Sequence, residues 1–194
     1  LELRASGEIA FQSIVVRHVA YEGTDAEGRM RLHRRVGAFL AGLPGRVPPA
    51  RIARHHELAG EPELASRAWR AAGESARAAY SNREALRFFA RALALMPEDS
   101  PERFEIHERR EQILRALSLR TEQRTELETM RRAAEAARND AMLATAMNRL
   151  ARHDLDAGRL AGVDAMLRRA LDAAIGAGER AAEIESLRLL GHLR

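Results

Sequence analysis

Between Ser66 and Pro97 the chain sets Trp69, Gly73, Ala85, Phe89, Ala92 and Pro97 at separations that suit two antiparallel helices pressed together. Trp69 and Gly73 are four apart, and Ala85, Phe89 and Ala92 follow at i, i+4 and i+7, so each set lines one helix face. Gly73 and Ala85 are small where the helices touch. Trp69 and Phe89 are large enough to fill the space on either side, and Pro97 stops the second helix. Such a pattern fixes a helical hairpin far more tightly than composition does.

The same frame recurs further along. Met130-Arg-Arg-Ala133 and Leu167-Arg-Arg-Ala170 parallel Phe89-Ala-Arg-Ala92, preceded by Ile113 and Leu114 in one case and by Leu150 and Ala151 in the other. The steps from Phe89 to Met130 and from Met130 to Leu167 are 41 and 37 residues. Asn139-Asp140, Gly158-Arg159 and Gly176 to Gly178 supply helix breaks. Leu187 to Gly191 begins a further half repeat. Spacing and residue types resemble the tetratricopeptide repeat, whose usual period is about 34 residues; the turns or helices here must therefore be longer. Ala72 and Ala76 stand where that pattern favours leucine and tyrosine. The expected fold is all-α, with tetratricopeptide-like helical hairpin repeats forming a right-handed superhelix, about three and a half of them over residues 62–194.

Upstream the signals change. Leu1 to Tyr21 holds short apolar runs on either side of Ala5-Ser6-Gly7, which predicts a small hairpin, and Ser13 to Ala20 allows a strand but suits a short buried helix better. From Thr24 the helical period takes over: Thr24 or Asp25 can cap a helix whose apolar face is Met30, Leu32, Val36, Phe39 and Leu40. Gly42 and Pro44 end it. Pro48 or Pro49 opens a short helix to Leu58, which Gly60 stops. The expected division is 1–23, 24–61 and 62–194.

Three segments resemble the bacterial signal-transduction ATPases with numerous domains. Phe11-Gln-Ser-Ile-Val-Val-Arg-His-Val-Ala-Tyr-Glu22 is similar to the end of their winged-helix-like region, although Ser13 replaces a common histidine, and Arg31-Leu-His-Arg-Arg-Val36 is similar to the helix after it. His55-His-Glu-Leu-Ala-Gly-Glu-Pro62, with Ala68-Trp69 and Gly73, is similar to the entry to their tetratricopeptide array. The resemblance implies a sensor or interaction region, with the nucleotide-binding module and an effector elsewhere in a longer parent. Leu1 as first residue fits that expectation.

The residue types exclude much chemistry. There is no lysine, so all 32 basic residues are arginine, and a Gly-Lys-Ser/Thr phosphate loop, a kinase lysine or a Schiff-base lysine cannot be formed from this chain. Cysteine is absent too, which removes thiolate ligands and a thiol nucleophile and fits a reducing, cytoplasmic setting. Gly176-Ala-Gly-Glu-Arg-Ala181 matches a dinucleotide-binding string but follows a helix rather than a strand. His107-Glu108 opens like a zinc-protease motif, yet Glu111 takes the second histidine's place, so a surface helix is expected. His55 and His56 diverge by about 100° on a helix and suit packing or capping. We therefore expect no enzyme, cofactor or metal.

What remains is a groove. First helices of stacked repeats present one face together, and the frame puts Arg70, Arg77, Arg115, Asn148, Arg152 and Arg188 there as candidate binding residues, beside Glu74, Glu111 and His192. Arginine forks suit carboxylates, so a protein or peptide partner, acidic in character, is the expected ligand. The competing expectation is a helical repeat that binds nucleic acid, or part of a DNA-binding regulator, but +4 net charge with 28 acids interspersed disfavours it. No membrane partner is indicated. Leu189 and Leu193 are expected to face water on the last helix and to promote self-association, while Ile184, Leu187 and Leu190 pack inward.

Overall fold

The computed structural model describes residues 2–3, 9–10, 13–43, 45 and 47–193. Two short strands, β1 (Glu2–Leu3) and β2 (Ile9–Ala10), pair antiparallel, and every other regular element among the described residues is helix. The turn expected at Ala5-Ser6-Gly7 lies outside the described residues. The chain forms two compact units, Leu1–Leu95 and Met96–Arg194.

The first unit contains α1 (Ile14–Glu22), α2 (Ala26–Ala41), α3 (Pro49–Leu58), α4 (Pro62–Ala78) and α5 (Asn82–Leu95). Local chemistry sets their ends. Asp25 accepts a hydrogen bond from the Gly28 N–H at 2.7 Å, capping α2, and Pro49 occupies the first turn of α3. The α4/α5 hairpin packs as its spacing predicts: Ala72, Gly73, Ala76, Ala85, Phe89 and Ala92 are buried. Gly73 is required by close approach, since a Cβ there would lie 2.6 Å from the Phe89 ring. Trp69 is half-buried, stacked on Phe88 at 5.3 Å, and its Nε1–H donates to Glu57 Oε2 at 2.9 Å.

Upstream of that hairpin the expectation of burial fails. The segment after Ser13 is helical, but Ile14, Val15, Val16 and Val19 are exposed, as are Met30, Leu32, Val36 and Phe39 on α2. Of that apolar set only Leu40 is buried. The period made the helices, and no described element covers their apolar faces.

The second unit contains α6 (Glu102–Ala116), α7 (Arg120–Ala136), α8 (Asp140–Asp156), α9 (Val163–Ala177) and α10 (Arg180–Gly191). Part of the expected extension lies in the loops before α6 and before α9, each longer than the turns of the α4/α5 and α6/α7 hairpins. Its core joins Phe104, Leu127, Met130, Ala134, Leu143, Ala146, Met147, Leu150 and Ala170. Leu167 and Ala170 are buried as the repeated frame requires, but in the preceding copy Ala134 rather than Ala133 is the buried residue, so the small-residue slot is displaced by one. At the last helix the assignment is reversed except at Leu190, which packs inward as expected: Leu189 is buried against Ala151, Val163 and Leu167, with Leu193 beside it, whereas Ile184 and Leu187 are more than half exposed. The helix is rotated from the expected setting because α8 draws in its Ser186 edge.

One corner recurs through both units. After α3, α4, α6, α7, α8 and α9 a residue takes the left-handed conformation, and the next N–H bonds back across the turn, as from Ser81 to the Ala76 carbonyl at 2.9 Å and from Glu179 to that of Ala174 at 2.9 Å. Glycine fills it at Gly60, Gly158 and Gly178; Tyr80, Ser118 and Arg138 fill the others. No helix among the described residues is long and apolar enough to cross a membrane.

Candidate functional site

The sequence reading placed His107 and Glu111 on a surface helix, and the structure corrects this: both are buried. They are tolerated because each is satisfied. Glu126 of α7 accepts from His107 Nδ1 at 2.7 Å and from Arg110 Nε at 2.7 Å, so its carboxylate meets two donors from α6. Burial pushes the Glu126 carboxyl up, but those hydrogen bonds outweigh burial and hold its pKa below the ordinary carboxylate value. Glu111 accepts from Gln123 Nε2 at 2.7 Å and from Arg149 of α8 at 3.0 Å, and Arg149 reaches Glu108 at 2.7 Å. Polar side chains thus tie α6, α7 and α8 together.

The ties continue to α10. Asn148 Nδ2 donates to the Ala182 carbonyl at 2.8 Å, and the Ser186 hydroxyl donates to Asn148 Oδ1 at 2.8 Å. Arg152 pairs with Glu185, which also accepts from Arg188 at 2.9 Å. The Arg188 bond, with Arg152 beside it, holds the Glu185 carboxyl below its ordinary range against the opposing effect of burial.

These helices enclose a cavity of about 570 Å³ whose lining includes Arg115, Thr145, Asn148, Arg149, Arg152 and Glu185, with Gln123 of α7 also reaching it. Of the six predicted residues, Arg115, Asn148 and Arg152 come together here. Arg188 does not line the cavity and acts on it only through Glu185. Arg70 and Arg77 belong to α4 of the first unit, where Arg77 pairs with Glu74 at 2.9 Å and Arg70 is half-buried. Asn148 lines the cavity, yet both ends of its amide are already used in clasping α10. The lining carries Arg115, Arg149 and Arg152 against Glu111, Asp156, Glu179 and Glu185, so it is mixed in charge rather than basic.

Arg149 and Gln123 were not singled out by sequence. Gln123 sits one position after Glu122 in a polar run that reads as a solvated helix start, and nothing in its spacing signals burial at 2 % exposure. Its Oε1 is buried with no hydrogen-bond partner.

Histidines cluster elsewhere without making a metal centre. His33 and His55 face each other with their Nδ1 atoms 2.9 Å apart, Tyr21 lies 3.0 Å from His33 Nε2, and His56 bonds Glu61 at 2.8 Å. Burial first, and nearby Arg54, lower the pKa of both His33 and His55. Among the described residues no three histidine or acidic side chains converge as a metal site requires.

No protein-family model matches the chain, and no curated protein sequence matches it. Among solved structures it is similar to YrrB, described as a TPR protein with an unusual peptide-binding site, at 17% identity and a TM-score of 0.43 over 92% of this chain and 91% of that one.

Proposed function

We propose that the protein is a non-enzymatic binding scaffold whose second unit holds a peptide segment of a partner protein in the cavity between α6, α8 and α10. The observation that carries this reading is the cavity itself: its size suits a short chain segment, and its walls are fixed by hydrogen bonds among the lining side chains, so little ordering is lost on binding. A lining mixed in charge rather than basic suits a peptide better than it suits a phosphate backbone. The finer part of the proposal is that the scaffold serves as sensor or interaction region of a larger signal-transduction ATPase. It rests on the segments 11–22, 31–36 and 55–62, and the exposed apolar side chains of α1 and α2 support it, because they offer a neighbouring domain a surface to pack on.

The test is selection from a random peptide display library on the immobilised protein, followed by measurement with Thr145→Trp, which fills the cavity, and Arg115→Glu. The reading expects enriched peptides that lose binding to Thr145→Trp while circular dichroism is unchanged. Peptides indifferent to both substitutions would overturn it, as would binding to duplex DNA or RNA that falls steeply with salt. Sequencing the open reading frame upstream of Leu1 tests the ATPase context.

A further inference from the structure

We infer that the groove of the second unit selects a dipolar segment, one acidic and one basic side chain about six residues apart, rather than an acidic one. The inference rests on the peptide-scaffold reading above and asks which peptide the groove prefers. Most of its charges are already spent on one another: Arg149 on Glu111 and Glu108, Arg152 on Glu185, and Asp156 on Arg120 at 3.8 Å. Among the described residues Arg115 and Glu179 are the two lining charges with no ion-pair partner, and both are exposed.

Their places in the fold separate them. Arg115 ends α6 and Glu179 precedes α10, while α8 is tied to α6 through Arg149 and to α10 through Asn148 and Arg152. The free cation and the free carboxylate therefore stand on opposite walls with α8 between them. Two interhelical spacings amount to about 16–20 Å across the groove. Arg149 meets Glu111 and Asn148 meets Ala182, which offsets Arg115 from Glu179 along the helix axes by roughly eight residues, about 12 Å. An extended chain covers the resulting span of about 20–23 Å in about six residues. The floor adds a second requirement. Gln123 is buried, its Nε2 is committed to Glu111, and its Oε1 has no partner, so the floor has an unmet need for an N–H donor. A main-chain amide from the middle of a bound segment answers it. Acid over Arg115, amide over Gln123 and base over Glu179 complete the polar groups that the fold leaves open.

The test uses the full chain and four fluorescein-labelled nonapeptides of alanine, serine and threonine, with charged residues at positions 2 and 8: Glu then Arg, Arg then Glu, Glu twice and Arg twice. Fluorescence anisotropy at fixed ionic strength should show one dipolar order bound about 5- to 10-fold tighter than the two uniform peptides. Arg115→Glu should move the preference to the peptide with two arginines. Glu179→Arg should move it to the peptide with two glutamates, and the double reversal should exchange the two dipolar orders. N-methylation of the central amide of the preferred peptide should weaken binding by about 3- to 10-fold. Equal binding of all four peptides, or reversals that leave the ranking unchanged, would overturn the dipolar inference. If those peptides still lose binding to Thr145→Trp, the scaffold reading survives that failure. If none binds in the groove and the display selection is also empty, both fail together.

Discussion

The α4/α5 hairpin of the first unit and the α6/α7 hairpin of the second solve the same packing problem with different chemistry. Size complementarity closes the first, where Gly73 admits the Phe89 ring and alanines fill the remaining contacts. In the second, four polar residues are buried alongside Phe104, Ile106, Leu127 and Met130, and they satisfy one another: His107 with Glu126, Gln123 with Glu111. An apolar hairpin loses stability in proportion to the volume removed. One held partly by buried polar pairs loses it when a single partner is taken away and the other is stranded. The polar hairpin also contributes to the groove, because Glu111 bonds Arg149 of α8 as well as Gln123.

The largest effect expected from that difference is at Phe89. Phe89→Ala should cost about 3–5 kcal/mol, since the ring is fully buried and fills the space Gly73 leaves. Trp69, the one tryptophan, stacks on neighbouring Phe88, so chemical denaturation followed by its fluorescence measures this directly. A shift below about 1 kcal/mol would mean that the close fit contributes little.

Glu126→Ala is the matching change in the second hairpin and should cost about 3 kcal/mol, because Arg110 and His107 lose a buried acceptor. Faster hydrogen exchange of the α6 and α7 amides is the readout. Replacing His107, Arg110 and Glu126 together by apolar residues of similar volume should recover most of the loss, an outcome no size-based hairpin would show. If the triple replacement is as unstable as Glu126→Ala, the polar cluster is better than an apolar core at this place.

Acid should separate the hairpins further. Hydrogen bonds keep the folded pKa of Glu126 below its ordinary value of 4.5 even though burial opposes them. A carboxyl lowered on folding stabilises above its unfolded pKa, and that contribution disappears as pH falls through the folded one. Protection of the α6 and α7 amides should thus decline from about pH 4.5 downward by more than the change for Glu126→Gln, which has no proton to gain. Equal pH profiles for wild type and Glu126→Gln would show that other carboxylates carry the acid loss.

The same contrast explains what could be read in the sequence. Trp69, Gly73, Phe89 and Ala92 announced their hairpin because packing by size leaves a fixed spacing of large and small residues. The helices ending at Gly42 and before Gly60 were legible from their breakers. Arg115, Asn148 and Arg152 line one cavity, since register alone puts equivalent positions of first helices together. Their roles were not legible: that Asn148 would clasp Ala182 and Ser186, or that Arg152 would be held by Glu185, depends on partners more than thirty residues away. His107 and Glu111 misled because period-based reading assigns polar residues to solvent, and only the three-dimensional pairing shows them satisfied inside. The rotation of α10, which buries Leu189 and exposes Ile184 and Leu187, follows from the same long-range clasp.

The smallest effect concerns the one feature both hairpins share, their corners. Tyr80 closes α4/α5 with φ of 58° and Ser118 closes α6/α7 with φ of 57°, a conformation that costs an L-residue about 1–2 kcal/mol and glycine nothing comparable. The hydrogen bonds of the turn, 2.9 Å from Ser81 to Ala76 and 2.9 Å from Leu119 to Leu114, are made by the backbone and stay if the side chain is removed. Glycine also gains freedom in the unfolded chain, which offsets part of the benefit. Tyr80→Gly and Ser118→Gly should therefore each stabilise by about 0.5–1 kcal/mol, equally in the apolar and the polar hairpin. The converse substitution isolates the backbone cost: a Cβ at Gly178 meets nothing within 4 Å, so Gly178→Ala should destabilise by about 1 kcal/mol without any clash. Thermal unfolding of the three variants decides the matter. Should Tyr80→Gly destabilise instead, the exposed tyrosine ring makes a contact worth more than the strain, and the corners of the two hairpins differ as their cores do.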